Sequence, residues 1–408
     1  MTAPRPGRPE DAIAGVVPRA VLAPETVEEA AEAVRAAARD RARLAFVGGG
    51  TDLGLGAPPE GLDLVLRTEK LSRIVEHAPS DQIVKAEAGV TLAALQRTLS
   101  AHGQRLALDP PHPDRATLGG IVCANAFGPL RTRYGTVRDL IIGIGIVRAD
   151  GVAARGGGKV VKNVAGFDLP RLMVGSMGTL ALVTSVTFRL HPLPEQETTV
   201  LFPGVEPGKA ASLLAETRRG QLEPSAAAAL ASGERLDLGV RFEGFAAGVA
   251  EQRERLLALG RAAGLAGEVL DGASAKAFWE RHRAVREGAG VRVKLSARPT
   301  ALEALARDAL APLRSALAGG AVVYPTLGLA FAAGEPASPE EVARAVERAR
   351  VALGPAGGSV VVQEASPAVR ARLDVWGPPP ASIVLMRRLK ERLDPDRRLA
   401  PGRFLGGM

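Results

Sequence analysis

A chain of 408 residues with 46% hydrophobic content is long enough to build two or three domains with sizeable cores. Its net charge of +8 comes mainly from arginines interleaved with Glu and Asp, and only 3% of its residues are aromatic, so neither a basic tract nor a stacking platform points to nucleic acid. No apolar run reaches the ~18 residues of a membrane span, the Pro-rich start MTAPRPGRPEDAIAG has no apolar signal core, and the one cysteine, Cys123, excludes an internal disulfide.

These features predict a cytoplasmic protein. They also place any four-thiolate iron–sulfur cluster on another chain. In its apolar setting, GGIVCANAF, Cys123 reads as a core thiol rather than a nucleophile.

Residues 1–22 read as a loose amino-terminal arm. Pro24 then precedes Thr26-Val27-Glu28-Glu29, which has the S/T-x-x-E form of a capping box, and Val27, Ala30, Ala31, Val34 and Ala38 follow at helical spacing. The strand Leu44–Val47 runs into Gly48-Gly49-Gly50-Thr51-Asp52. Three residues without Cβ let successive N–H groups point into one concavity, which suits a phosphate or pyrophosphate, and Thr51 and Asp52 add a hydroxyl and a carboxylate. Taken alone, the triplet reads equally well as a tight surface turn.

Leu62–Leu66 and Ile83–Ala86 read as strands, and Thr91–Leu99 as a short helix with Leu92, Leu95 and Leu99 on one face. Leu140–Val147 and Leu180–Leu190 have the composition of buried strands, with Asp150-Gly151 as a hairpin turn after the first. His191-Pro192-Leu193-Pro194 closes the second and marks a domain boundary. Beyond it, predicted helices at 209–219, 248–266, 300–318 and 338–353 alternate with strands near 199–202, 236–242, 321–332 and 358–363. That pattern predicts one sheet with helices on one face. Ala381–Arg392 reads as a final amphipathic helix. The domain plan is an arm (1–22), a first domain (23–194), an α+β domain (195–376) and a carboxy-terminal helix and tail (377–408).

Several familiar motifs are absent. Counting from Gly48, the sixth position is Leu53, so G-x-G-x-x-G fails. Gly158-Lys159 is followed by Val160, so there is no Walker A hydroxyl, and Gly175-Ser176-Met177-Gly178 is one residue short of a nucleophile elbow. The five histidines, His77, His102, His112, His191 and His282, are scattered and predict no metal site.

What remains is a series of glycine-bearing loops: Gly48–Asp52, Thr117-Leu118-Gly119-Gly120, Asn125-Ala126-Phe127-Gly128, Arg133-Tyr134-Gly135 and Gly175–Leu180. A long cofactor threaded between two subdomains would account for them together. With Glu87–Leu95 (EAGVTLAAL), their order over residues 23–194 resembles the FAD-binding domain of the vanillyl-alcohol oxidase/p-cresol methylhydroxylase (PCMH) type. A narrower resemblance, to the FAD-binding E-type subunit of bacterial glycolate oxidase, rests on Gly157–Leu169 (GGKVVKNVAGFDL), Asp374-Val375-Trp376-Gly377 and Arg397–Gly407. Phe278-Trp279 with Arg286-Glu287 fits it more loosely.

The resemblance implies an α+β fold: a two-subdomain PCMH-type FAD-binding domain followed by an α+β cap. It implies non-covalent FAD, with Gly48, Gly49, Gly50, Thr51 and Asp52 at the pyrophosphate. Pro110, Thr117, Gly119, Gly120, Asn125, Gly128, Tyr134 and Gly135 would lie along the ribityl and ring path, and Gly178, Leu182 and Val183 on the adenosine side. Tyr134 reads alternatively as a core cap. Lys162 and Asn163 would sit by the flavin ring or in a solvated loop. Arg292, Arg298 and Arg403 would meet a carboxylate or, as the better reading, remain surface arginines.

Two departures stand out. Related dehydrogenases carry paired histidines in the substrate domain, whereas only His282 lies beyond His191 here; and Ala400 stands where the family often has Asn. The implied role is an FAD-binding subunit of a glycolate oxidase-like complex, working between a catalytic flavin subunit and an iron–sulfur subunit in oxidation of a small 2-hydroxy acid (glycolate to glyoxylate). Peripheral membrane contact through that complex is a further implication. No catalytic residue and no metal ligand is assigned. A self-sufficient FAD-dependent 2-hydroxy-acid dehydrogenase and a flavin-free scaffold remain as alternatives.

Overall fold

In the computed structural model, which describes residues 3–159 and 166–408, Thr26 caps the first helix as its sequence predicts. Its Oγ1 accepts the Glu29 amide at 3.1 Å, although the Glu29 carboxylate reaches back to the amide of Glu25 (3.0 Å) rather than to that of Thr26. The helix Val27–Arg39 turns Ala30, Ala31, Val34 and Ala37 inward, onto a core shared with Leu44, Leu66, Val147, Leu182 and Leu399.

Two contact units follow from the packing. One comprises the chain up to Gly128, Gly135–Pro192 and Pro378–Met408; the other comprises Pro129–Tyr134 and Leu193–Gly377.

The first unit holds two main sheets. In one, Ala20–Leu22 and Leu44–Val47 flank Leu64–Arg67 in parallel, and Arg5–Pro6 adds an antiparallel edge. Residues 3–22 are therefore not the loose arm that their proline content predicts. Ile13 and Val21 are buried with Ala45, Val47 and Val65, and the Asp11 carboxylate takes a forked ion pair from Arg5 (2.6 and 2.7 Å). In the other sheet, five antiparallel strands run in the order Ile74–Ala78, Ile83–Glu87, Leu182–Arg189, Ile141–Val147, Ala153–Gly157. The hairpin at Asp150-Gly151 is present, closed by the Arg148 amide on the Val152 carbonyl (3.0 Å), with Gly151 at φ 77°. Thr91 and Thr117 cap the helices Leu92–Ser100 and Leu118–Ala124, which bury Leu92, Leu95, Leu99, Leu118 and Ile121 against this sheet.

The second unit is built on one eight-stranded antiparallel sheet: Glu268–Leu270, Gln196–Val205, Arg235–Gly244, Ala226–Ser232, Leu317–Tyr324, Leu329–Pro336, Val291–Ser296, Ser359–Glu364. Side chains alternate between its faces. Phe202 and its cross-strand partner Leu238 belong to one face, and a Cβ on Gly260 of the helix Ala246–Ala262 would run into the Phe202 ring. Gly239, one residue on, faces the other way, against Phe278 of the helix Gly272–Glu287. Helices thus cover both faces, not one as the sequence pattern predicts. The predicted helix at 300–318 is a 3₁₀ turn (Pro299–Ala301), a π segment (Ala304–Ala309) and a short α-helix (Leu310–Ala316), and the predicted strand at 321–332 is two strands joined through Pro325–Leu327.

The carboxy-terminal helix, Ile383–Leu393, also departs from expectation. Its buried residue is Lys390, while Val384 and Leu385 are 55% and 60% exposed. Among the described residues no helix is long and apolar enough to cross a membrane.

Candidate functional site

The strand Leu44–Val47 delivers Gly48, Gly49, Gly50, Thr51 and Asp52 to the wall of a cleft in the first unit. Thr117, Gly119, Gly120, Gly178, Leu182 and Val183 line the same cleft. Eleven of the sixteen residues singled out from the sequence therefore converge here. The glycines are required by close approach. A Cβ on Gly48 would strike the Thr117 hydroxyl, one on Gly49 would strike the Arg115 carbonyl, and Gly50 takes φ 73°. Within the described residues, the amides of Gly48, Gly49 and Gly50 donate no hydrogen bond to other protein groups, so they are available to an anion.

Pro110, Asn125, Gly128, Tyr134 and Gly135 are not among the lining residues. Pro110 is buried. Gly128 packs where a Cβ would collide with Asp109, and Gly135 turns at φ 77° beside the Asp139 carboxylate. Asn125 ends its helix in the left-handed conformation (φ 50°), and its Oδ1 is buried with no hydrogen-bond partner among the described residues. Tyr134 groups with the second unit, where its hydroxyl donates to Glu243 at 3.4 Å. Lys162 and Asn163 lie outside the described residues.

The cleft also holds Ile13, Phe46 and Met177, which sequence reasoning passed over, together with Cys123, read as a core thiol, and Arg403, read as a surface arginine. Burial pushes the Cys123 thiol up to about 11, against smaller opposing hydrogen bonds from Ser176 and the Gly178 backbone, so it stays protonated near neutral pH. Arg403 is 5% exposed, not a surface arginine. Its Nη2 donates to the carbonyls of Leu53 (2.9 Å) and Leu55 (2.5 Å). The signal available in the sequence was Pro401-Gly402, a turn that carries the chain back into the domain just ahead of Arg403.

In the second unit, one face of the sheet gathers charge. Arg286 donates to the Tyr324 hydroxyl at 2.8 Å, and its guanidinium carbon lies 3.5 Å from the Phe331 ring centroid. His282 Nε2 lies 3.0 Å from the same hydroxyl. Burial first, then Arg286, Arg241 and Arg283, hold His282 down to about 3. It is therefore neutral, and a very weak base, at physiological pH. Lys294, paired in register with Phe331, is brought down to about 8 by burial and by Arg131 and Arg286. Arg292 approaches Glu364 at 3.6 Å, and Arg298 is exposed. Among the described residues no group of three or more His, Cys, Asp or Glu side chains could hold a metal ion.

A pyrophosphate-bearing nucleotide fits the cleft. The donor set is bare amides with one guanidinium, the cradle is one that Cβ atoms would fill, and Ala45, Phe46, Val47, Leu182 and Val183 offer apolar walls. Residues 18–157 match the family described as FAD binding domain. The chain is 38% identical over 164 residues to glycolate oxidase subunit GlcE of Escherichia coli, covering 40% of this chain and 46% of that one. It is 37% identical over 195 residues to D-lactate dehydrogenase of Archaeoglobus fulgidus, covering 46% and 43%. The match thus spans under half the length of either curated relative. The fold is similar to that of p-cresol methylhydroxylase with substrate bound, at TM-score 0.74 and 18% identity, covering 96% of this chain and 89% of that one. Residues 18–157 form an FAD-binding domain, and FAD is the cofactor.

Proposed function

We propose that this chain is the FAD-holding subunit of a complex that oxidises a small 2-hydroxy acid such as glycolate, standing between a catalytic flavin subunit and an iron–sulfur subunit. One contrast carries the reading: a complete glycine-built cleft in the first domain, and a cap whose sole histidine, His282, is buried and held near 3. FAD supplies two-electron redox chemistry when bound. The protein's share is to hold the pyrophosphate on the Gly48–Asp52 amides and to exclude water with the apolar walls. With Cys123 as its one cysteine, the chain needs a partner to carry a cluster. Similarity to a protein named as a glycolate oxidase subunit supports the assembly.

One observation favours a second reading, a self-sufficient dehydrogenase. Lys294, lowered to about 8, is partly neutral at mildly alkaline pH and could take a hydroxyl proton.

The test is spectroscopic. The purified chain should be yellow, and anaerobic glycolate or D-lactate should leave its flavin absorbance unchanged until the partner subunits are added. Bleaching of the lone chain would establish the dehydrogenase instead, and a colourless chain that takes up no FAD would leave only a scaffold.

A further inference from the structure

We propose that the carboxy-terminal segment Lys390–Arg403 is part of the FAD site, and that Arg403 is its positioning residue and the cation that meets the pyrophosphate. The segment is sewn to both walls of the cleft. On one side, the Leu44 amide donates to the Arg398 carbonyl (2.8 Å) and the Ala400 amide to the Leu44 carbonyl (2.6 Å), which fixes the strand that feeds Gly48. On the other, Lys390 Nζ donates to the carbonyl of Thr179 (2.8 Å), in the loop that presents Gly178. The same ammonium bonds the Leu399 carbonyl (2.8 Å) and the Asp394 carboxylate (2.6 Å). That carboxylate accepts the amides of Arg398 (3.1 Å) and Leu399 (2.8 Å), closing a buried knot.

From this anchor the chain turns at Gly402 (φ 82°) and places Arg403 in the cleft. The Ala57 amide donates to the Arg403 carbonyl (3.1 Å) and the Glu60 amide to that of Pro401 (3.0 Å). Through Leu53 and Leu55 the guanidinium grips the turn immediately after Asp52. Among the described lining residues Asp52 and Arg403 are the charged ones, so Arg403 is the cation available to a dianionic pyrophosphate. Carbonyls held by a fork of N–H groups fix the loop's register, and that register decides where the Gly48–Gly50 amides point.

This inference rests on FAD being the ligand of the cleft, and the experiment separates the two. The full chain is stripped of flavin, and binding of FAD, ADP and riboflavin is measured by calorimetry at two salt concentrations, for wild type, Arg403→Met and Arg403→Lys. The expected result is a 10- to 100-fold weaker Kd for FAD and ADP in Arg403→Met, a shallower salt dependence of ADP binding, and riboflavin binding unchanged. Arg403→Lys should restore the salt dependence and part of the affinity. A Kd for FAD and ADP within twofold of wild type in Arg403→Met overturns the proposal. So does a loss that riboflavin shares equally with an unaltered salt dependence, which is the signature of a purely structural arginine. If Arg403→Met does not fold, Arg403→Lys decides on the same readouts: a wild-type salt dependence with any weakening confined to FAD and ADP supports the role of the charge, and weakening equal for all three ligands overturns it. Wild-type protein that binds neither FAD nor ADP would overturn the reading of the cleft itself.

Discussion

Gly49→Ala tests the cradle directly. The added Cβ would overlap the Arg115 carbonyl, with Arg115 C at 2.6 Å and Ala116 N at 3.5 Å. The obstacle is main chain and cannot rotate away. Either the loop or the segment entering the Thr117-capped helix must move. Forcing a methyl into a filled space costs about 1–3 kcal/mol, and relieving it by shifting the loop turns the amides away from the anion. A hydrogen bond to a charged group contributes about 1.5–3 kcal/mol, so loss of one raises the Kd for FAD about 10- to 150-fold. The assay is quenching of flavin fluorescence by the apoprotein. Gly248→Ala is the control: Gly248 lies in the helix Ala246–Ala262 of the other unit with open space around it, so alanine should add about 0.5–1 kcal/mol of stability and leave FAD binding alone. If Gly49→Ala binds FAD within threefold of wild type, the loop does not act through close backbone approach and the argument fails.

Three further outcomes follow from buried charge. Lys390→Met strands the buried Asp394 carboxylate and removes the donor to the Thr179 and Leu399 carbonyls, and should cost about 3–5 kcal/mol in urea unfolding. His282 has a folded pKa near 3, below its ordinary 6.5, so its neutral form is the folded one; its stabilisation is complete above pH 6.5 and is lost as pH falls toward 3. In denaturant melts across that window, His282→Phe should flatten the wild-type slope by about 1.4 kcal/mol per pH unit. Lys294 also has a lowered folded pKa, about 8 against 10.5, so the fold favours the neutral amine and the ammonium is a burden at pH 7. Lys294→Met should raise stability there, a gain that shrinks above pH 8 and vanishes by about 10.5.

What the sequence made legible was local. Thr26 and Thr91 announce helix starts because a cap needs only a hydroxyl at the right place. Gly48–Asp52 announces a bare backbone for the same reason. Long-range pairing was harder to see. Ala226–Ser232 (AAAALAS) has the propensity of a helix, yet it is a strand between Arg235–Gly244 and Leu317–Tyr324, where small side chains fit a fully packed sheet. Leu118–Ala124 looked like a glycine loop because two glycines open it, but Gly119 is a packing residue: a Cβ there would lie 2.8 Å from that of Ala88. Arg403 read as a surface arginine because the Pro401-Gly402 turn does not say which strand the returning chain meets; Leu399 pairs with Leu44, more than 350 positions earlier.

Lys294 bears on both functional readings at once. Arg131, Arg286 and Lys294 bring three like charges close enough to depress an amine, next to a histidine that stays neutral. Such a cluster of positive charge attracts an anion. The two readings part over what the group does. As a proton acceptor, Lys294 would make substrate bleaching of the lone chain rise with pH through about 8, and Lys294→Met would abolish it. As an electrostatic contact in an assembled complex, it would leave the lone chain silent at every pH, and the methionine variant would show tighter folding with turnover by the complex losing affinity for the acid rather than its rate constant. The stability gain is common to both, so the pH course of bleaching, not the melt, assigns the role.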